Sequence, residues 1–171
     1  NIFWVNHNNI WYSHGDTLLK YSTLNNTIEP IAYFKSNRAV CFFQSGDSLI
    51  IGTLKNVYSY KNNFLNHIGN ISSRKANANP FTVFTYQDNK IWFGTIKGLF
   101  IFNPQTHVID TIRELYQSMV HNTKLFKDYI LIGTYGNGFY LHKNGRTVKM
   151  PLDKNQYLLN VHTFVYDKNG M

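Results

Sequence analysis

Four stretches of this chain are versions of a single phrase. Ile91-Trp92-Phe93-Gly94-Thr95-Ile96-Lys97-Gly98-Leu99-Phe100-Ile101-Phe102 returns as Ile130-Leu131-Ile132-Gly133-Thr134-Tyr135-Gly136-Asn137-Gly138-Phe139-Tyr140-Leu141. A third version runs from Leu49 to Tyr60 and a worn fourth from Ile10 to Tyr21. With Ser13, Gly52, Gly94 and Gly133 taken as equivalent, the copies recur at intervals of 39, 42 and 39 residues. A period this regular makes each copy one supersecondary unit, which can bury its apolar face only by stacking on its neighbours.

Within a copy, an apolar run rich in β-branched and aromatic residues meets Gly-Thr. A short turn and an alternating run such as Leu99-Phe100-Ile101-Phe102 follow. That pattern predicts a hairpin. The turns Ile96-Lys97-Gly98 and Tyr135-Gly136-Asn137-Gly138 hold residues that tolerate positive φ. A further strand precedes the hairpin (Val40–Phe43, Thr82–Thr85, His162–Val165), and a polar stretch such as His107–Ile112 follows it. Four strands per repeat is the blade of a β-propeller. The expected fold is therefore all-β, with approximate blades 1–37, 38–79, 80–118 and 119–158, and residues 159–171 opening a fifth. Only Glu114–Met119 offers a turn of helix.

Blades crowd each other near a propeller axis, which explains the repeated motif Gly52-Thr53, Gly94-Thr95 and Gly133-Thr134. Glycine lets the neighbouring backbone approach, while Gly98 and Gly138 serve the turns. Trp11, Ile50, Trp92 and Leu131 share one repeat position and read as packing between blades rather than as sugar-stacking platforms. The chain opens inside a strand without an initiator Met. Its tail, Val165–Met171, aligns with the residues leading to Ile91. A further Trp-x-Gly-Thr strand is expected next, making these blades an arc of a larger, seven-bladed ring.

Hydrophobic residues make up 43% of the chain and aromatics 16%, enough for a packed β core. No apolar run has the length of a membrane span, and insertion into a membrane by this region is not expected. The single cysteine, Cys41, sits in an expected strand as a small buried hydrophobe, without a disulfide framework. A formal charge of +8 suits an acidic partner such as an anionic glycan. The basic residues are scattered, apart from Arg74-Lys75 and the group Lys143, Arg146 and Lys149. With no basic helix, RNA-binding aromatic signature or zinc-finger spacing, nucleic acid is not expected as a partner.

Asp88–Thr106 closely resembles the two-component regulator propeller repeat, whose pattern is Asp-x-x-Gly-x-(Ile/Leu)-Trp-(Ile/Phe)-Gly-Thr-x-x-Gly-Leu-x-x-(Tyr/Phe)-(Asp/Asn)-Pro. The other copies depart from it. Leu131 and Ile50 stand in place of Trp, Gly138-Phe139 and Asn56-Val57 in place of Gly-Leu, and Ser13-His14 in place of Gly-Thr. The resemblance implies a pair of seven-bladed propellers in the periplasmic sensor of a hybrid two-component system of Bacteroidetes-like bacteria. A histidine kinase would follow in a separate domain, and the full-length sensor would form a homodimer. The implied ligands are oligosaccharides, and the remaining blades of the same chain are the nearest partners. A protein-interaction scaffold of a cytoplasmic regulator and part of a glycan-active enzyme propeller are the alternatives.

Catalysis is not expected in this segment. Asp47, Asp88, Asp128 and Asp167 occur once per repeat, before the Gly-Thr strand, as turn residues do. The seven histidines lack metal-ligand spacing, and no cofactor motif is present. A ligand would sit at the channel mouth, where non-repeating polar residues lead into the first strands: Arg38, His121, Asn160 and His162. The Arg74-Lys75 pair in the 71–80 loop is a second candidate. Arg38 could clamp a carboxylate or sulfate with its planar fork.

Overall fold

Each repeat folds as an antiparallel meander in which strand order follows chain order. The computed structural model describes residues 3–71, 80–86, 89–151 and 160–161. Blade 1 comprises β1 (Phe3–Asn6), β2 (Asn9–His14), β3 (Thr17–Ser22) and β4 (Thr27–Tyr33). Blade 2 comprises β5 (Ala39–Ser45), β6 (Ser48–Thr53), β7 (Asn56–Lys61) and β8 (Phe64–Asn70). Blade 3 comprises β9 (Pro80–Tyr86), β10 (Lys90–Thr95), β11 (Gly98–Phe102) and β12 (Ile109–Thr111). Blade 4 comprises β13 (Met119–Phe126), β14 (Tyr129–Tyr135), β15 (Phe139–Lys143) and β16 (Arg146–Lys149). The expected helical turn is a short 3-10 segment, Arg113–Leu115, in the link between blades 3 and 4. The expected strand of a fifth blade lies largely outside the described residues.

Successive sheets meet through their first and second strands, the narrow end of the wedge. The core is divided into three clusters, one in each gap between blades. Trp11, Leu18, Leu49, Ile51 and Tyr60 fill the first gap. Cys41, Ile50, Phe93, Phe100 and Phe102 fill the second, and Trp92, Val120, Ile130, Ile132 and Tyr140 the third. The period-two alternation of the second strand produces this division. Ile91 and Phe93 point back to blade 2, whereas Trp92 and Gly94 point onward to blade 4. Trp11, Ile50 and Trp92 are buried in these clusters. Trp11 meets Tyr60 of blade 2 edge-on at 4.7 Å, and Trp92 meets His142 of blade 4 at 5.1 Å.

Two of the motif glycines meet the backbone of the following strand closely. A Cβ on Gly94 would lie 2.7 Å from Val120 Cγ1 and 2.9 Å from the Val120 carbonyl oxygen, on the first strand of the next blade. A Cβ on Gly133 would lie 2.8 Å from the Val161 oxygen. Opposite each Gly-Thr pair, the first strand of the same blade slips register by one residue, between Ala39 and Cys41, Pro80 and Thr82, and Val120 and Asn122. These are β-bulges, which bend the strand where it is most crowded.

The threonine beside each glycine points backward, is fully buried and closes its own hairpin turn. Thr53 Oγ1 donates to the Asn56 carbonyl at 2.9 Å, Thr95 to Gly98 at 3.3 Å and Thr134 to Gly138 at 2.6 Å. In blade 1 Ser13, which stands at the glycine position, donates from Oγ to the Gly15 carbonyl at 2.9 Å. Apolar replacement would remove one of the hydrogen bonds that close the turn.

His142 occupies the repeat position of Tyr60 and Phe102 and is 2% exposed. Its Nδ1 lies 2.8 Å from Thr147 Oγ1. Burial pushes its pKa below the ordinary 6.5, opposed more weakly by the carboxylate of Glu114. The unfolded chain therefore takes up this proton first as pH falls. Stability is retained above the ordinary histidine range and lost as pH drops from 6.5 toward the lower native value.

Two outcomes follow from this packing. In chemical denaturation, Gly94→Ala costs about 1–3 kcal/mol through overpacking, and Thr134→Val about 0.5–1.5 kcal/mol through the lost hydroxyl hydrogen bond, the Gly138 carbonyl keeping the Thr134 amide. His142→Phe reproduces the Phe102 solution and removes part of the acid-side loss. The drop in melting temperature between about pH 8 and about pH 5 should be smaller in that variant than in the parent.

Candidate functional site at the upper rim

The two ends of the blades differ in construction. At the lower end the turns are tight, and their backbone demands positive φ: Asn62 and Asn63 have φ of 51° and 63°, and Asn144 and Gly145 49° and 76°. Paired positive φ values suit the right-handed twist of the hairpin. Asp47 and Asp128 lie in lower turns and reach lysines across them. Asp47 is 3.6 Å from Lys61, and Asp128 bonds Lys143. The hydrogen bond from Lys143 holds the exposed Asp128 carboxyl below its usual pKa. Turn chemistry accounts for both carboxylates, as their once-per-repeat spacing implied.

The upper end carries the Gly-Thr hairpins and the links between blades, including residues 34–38 and 112–118. Each link is pinned to the hairpin turn of the blade it leaves. Phe34 N donates to the Asp16 carbonyl at 2.8 Å, Ile71 N to Lys55 at 2.8 Å and Gln117 N to Lys97 at 2.9 Å. After blade 4, Val161 N donates to the Thr134 carbonyl at 3.0 Å and Gly136 N to Asn160 Oδ1 at 2.6 Å. Side chains pin the links to the following blade as well. Lys55 N donates to the buried Asn37 Oδ1 at 2.8 Å. In blade 4, Asn137 Nδ2 donates to Ser118 Oγ at 2.9 Å, while Lys149 Nζ donates to Asn137 Oδ1 at 2.8 Å.

Arg38 is the one exposed residue in the sequence Asn37-Arg38-Ala39-Val40. Its guanidinium therefore stands on a backbone fixed by buried neighbours, which reduces the ordering needed to hold a ligand. Asn160 reaches the same rim, but its side-chain oxygen is committed to the Gly136 amide. His121 is the bulge residue of β13, half-buried in the first strand rather than displayed on a loop. Arg74, Lys75 and His162 lie outside the described residues. Sequence reasoning missed the other rim groups, the cations Lys35, Lys55 and Lys97 and the aromatics Tyr33, Tyr116 and Tyr135. The tyrosines are 70%, 56% and 54% exposed. They occupy non-equivalent repeat positions, so only the folded arrangement collects them at one end.

Comparison with solved structures identifies the class of fold. The extracellular domain assigned to the hybrid two component system BT4673 of B. thetaiotaomicron superposes with a TM-score of 0.64 at 19% identity, covering 85% of this chain and 21% of that one. The corresponding domain assigned to BT3049 of the same organism gives a TM-score of 0.63 at 17% identity, covering 94% of this chain and 23% of that one. A streptogramin B lyase gives a TM-score of 0.68 at 12% identity, with coverages of 88% and 53%. This chain is a β-propeller arc, and it is structurally similar to sensor ectodomains of which it spans about a fifth. No family model matches the sequence, and no curated protein does.

A lyase among the neighbours makes the chemical inventory relevant, because one fold hosts many functions. Among the described residues, no three His, Cys, Asp or Glu side chains are grouped to hold a metal. Cys41 Sγ lies under Gly52, 3.9 Å from its carbonyl oxygen, and burial pushes the thiol pKa far up. A thiol that stays protonated is a poor nucleophile. In native protein Cys41 should resist an aromatic disulfide reagent at neutral pH, and it should react at the rate of a free thiol once denaturant unfolds the chain.

Proposed function

We propose that this arc belongs to the extracytoplasmic sensor of a hybrid two-component regulator. It would contribute its upper rim to recognition of an anionic oligosaccharide, and the binding would be relayed to a histidine kinase in another domain. The repeat resemblance and the likeness to two extracellular sensor domains support the class. No helix among the described residues is long and apolar enough to cross a membrane, which suits an ectodomain segment placed in the periplasm.

The observation that carries the ligand reading is the composition of the upper rim. Exposed Arg38, Lys35 and Lys55 and the less exposed Lys97 share it with three exposed tyrosines. Cations that pair with sulfate or carboxylate groups, beside rings that cover sugar faces, are what an acidic oligosaccharide requires. The role is binding rather than turnover, and a homodimer of the complete sensor would carry the signal.

The test is a binding screen of the whole chain against sulfated, uronate-bearing and neutral oligosaccharides of equal length. The expected result is selective binding of an acidic series that weakens with added salt. Arg38→Ala should lower that affinity about tenfold or more, the loss of a charge-assisted hydrogen bond, while the melting temperature stays unchanged. Equal binding of neutral and acidic series, or an unaltered affinity in Arg38→Ala, removes the rim from consideration.

A further inference from the structure

Blades 1 and 3 carry similar rows of residues on their forward faces, each with a tryptophan and a carboxylate at its ends. In blade 1 the row across β2, β3 and β4 is Trp11, Lys20 and Glu29. In blade 3 the row across β10, β11 and β12 is Trp92, Ile101 and Asp110. The rows of blades 2 and 4 hold no carboxylate, reading Ile50-Ser59-Asn66 and Leu131-Leu141-Val148. Blade 1 shows what its row is built to hold. Lys20 Nζ is 2.5 Å from Glu29 Oε2 and 5.9 Å from the centroid of the Trp11 ring, and Glu29 first and then Tyr60 of the next blade favour its charged form. An ammonium group on an alkyl stem thus sits in a slot walled by a tryptophan, a carboxylate and a polar ring.

Between blades 3 and 4 the three walls recur as Trp92, Asp110 and His142, but the lysine is replaced by Ile101. The slot is open, forming a groove of about 400 Å³ lined by these four residues together with Ile112 and Gly145. Two features keep it from closing. β12 has three residues where β4 and β8 have seven, and the β11–β12 turn swings wide through Asn103 and Val108. Both flanking blades are present, so no further blade of a longer ring would fill it. Lys90 lines the far end, beside Asn103.

We infer that this groove binds the side chain of a lysine presented by a protein partner. The ε-ammonium would pair with Asp110, and its stem would lie along Ile101 and the edge of Trp92, as Lys20 lies in blade 1. Charge complementarity selects the occupant, since Asp110 is exposed and lacks the in-chain lysine that Glu29 has. The inference is independent of the sensor reading, because the groove lies between outer strands and away from the upper rim.

The test is a titration of the whole isotope-labelled chain with N-acetyl-lysine methylamide, its norleucine counterpart and butylammonium, followed by amide chemical shifts. The lysine derivative should shift Ile101, Asp110 and Gly145, and norleucine should not. Asp110→Asn should weaken binding about fivefold, the scale of one partly exposed ion pair. Ile101→Lys supplies the ammonium from within the chain, and should abolish the shifts and raise the melting temperature. Equal shifts with norleucine, no shifts at all, or undiminished binding in Ile101→Lys overturns the inference. Butylammonium binding more tightly than the lysine derivative overturns the choice of a protein side chain as occupant.

Discussion

The architecture depends on the contact of one backbone with another at the motif glycine. Where Gly94 faces Val120 and Gly133 faces Val161, there is no room for even a methyl group. That approach sets how near the first strand of one blade comes to the second strand of the blade before it. Everything farther out inherits the spacing: Trp92 reaches His142 because the glycine has already fixed the gap. The threonine completes the device from the other face by closing the turn through a buried hydrogen bond. A residue that yields space and a residue that locks a turn are adjacent because successive strand positions face opposite blades.

The fold was legible because its signals are local and repeated. Gly-Thr, the preceding apolar run and the turn residues recur at nearly constant spacing, so weak copies such as Ile10–Tyr21 could be aligned on strong ones. The role of glycine followed from crowding alone. The role of threonine did not, since its hydroxyl partner is a carbonyl across the turn that periodicity does not point to. The bulges at Val40 and His121 were equally invisible, because register depends on which residues are opposed across two strands.

The candidate site was far less legible, for a physical reason. Binding residues on a propeller come from different blades at positions that need not repeat, and sequence alone cannot say which of them share an end. Arg38 was found by counting back from the motif, and it does stand exposed on a fixed backbone. Asn160 was found by the same count, yet its side-chain oxygen holds the Gly136 amide in place. Tyr33, Tyr116 and Tyr135 carried no signal, since an exposed tyrosine at a strand end or in a link resembles any other surface residue until the blades are stacked. The replacement of Lys20 by Ile101 was readable in principle, but only after strand pairing had shown which residues form a row.

The alternation along the second strand also gives every blade a polarity. Its backward face offers residues such as Ile91 and Phe93, and its forward face, in blade 3, offers the Gly94 notch and the Trp92 ring. No blade could pair with a copy of itself face to face, because notch would meet notch. The joint is head-to-tail, and joints of that kind either close into a ring or continue without limit. Each repeat therefore carries both halves of the joint, and a duplicated unit of 39 to 42 residues would bring a matching socket and plug along with it. A lineage of such chains can change its number of blades by whole units without redesigning any interface.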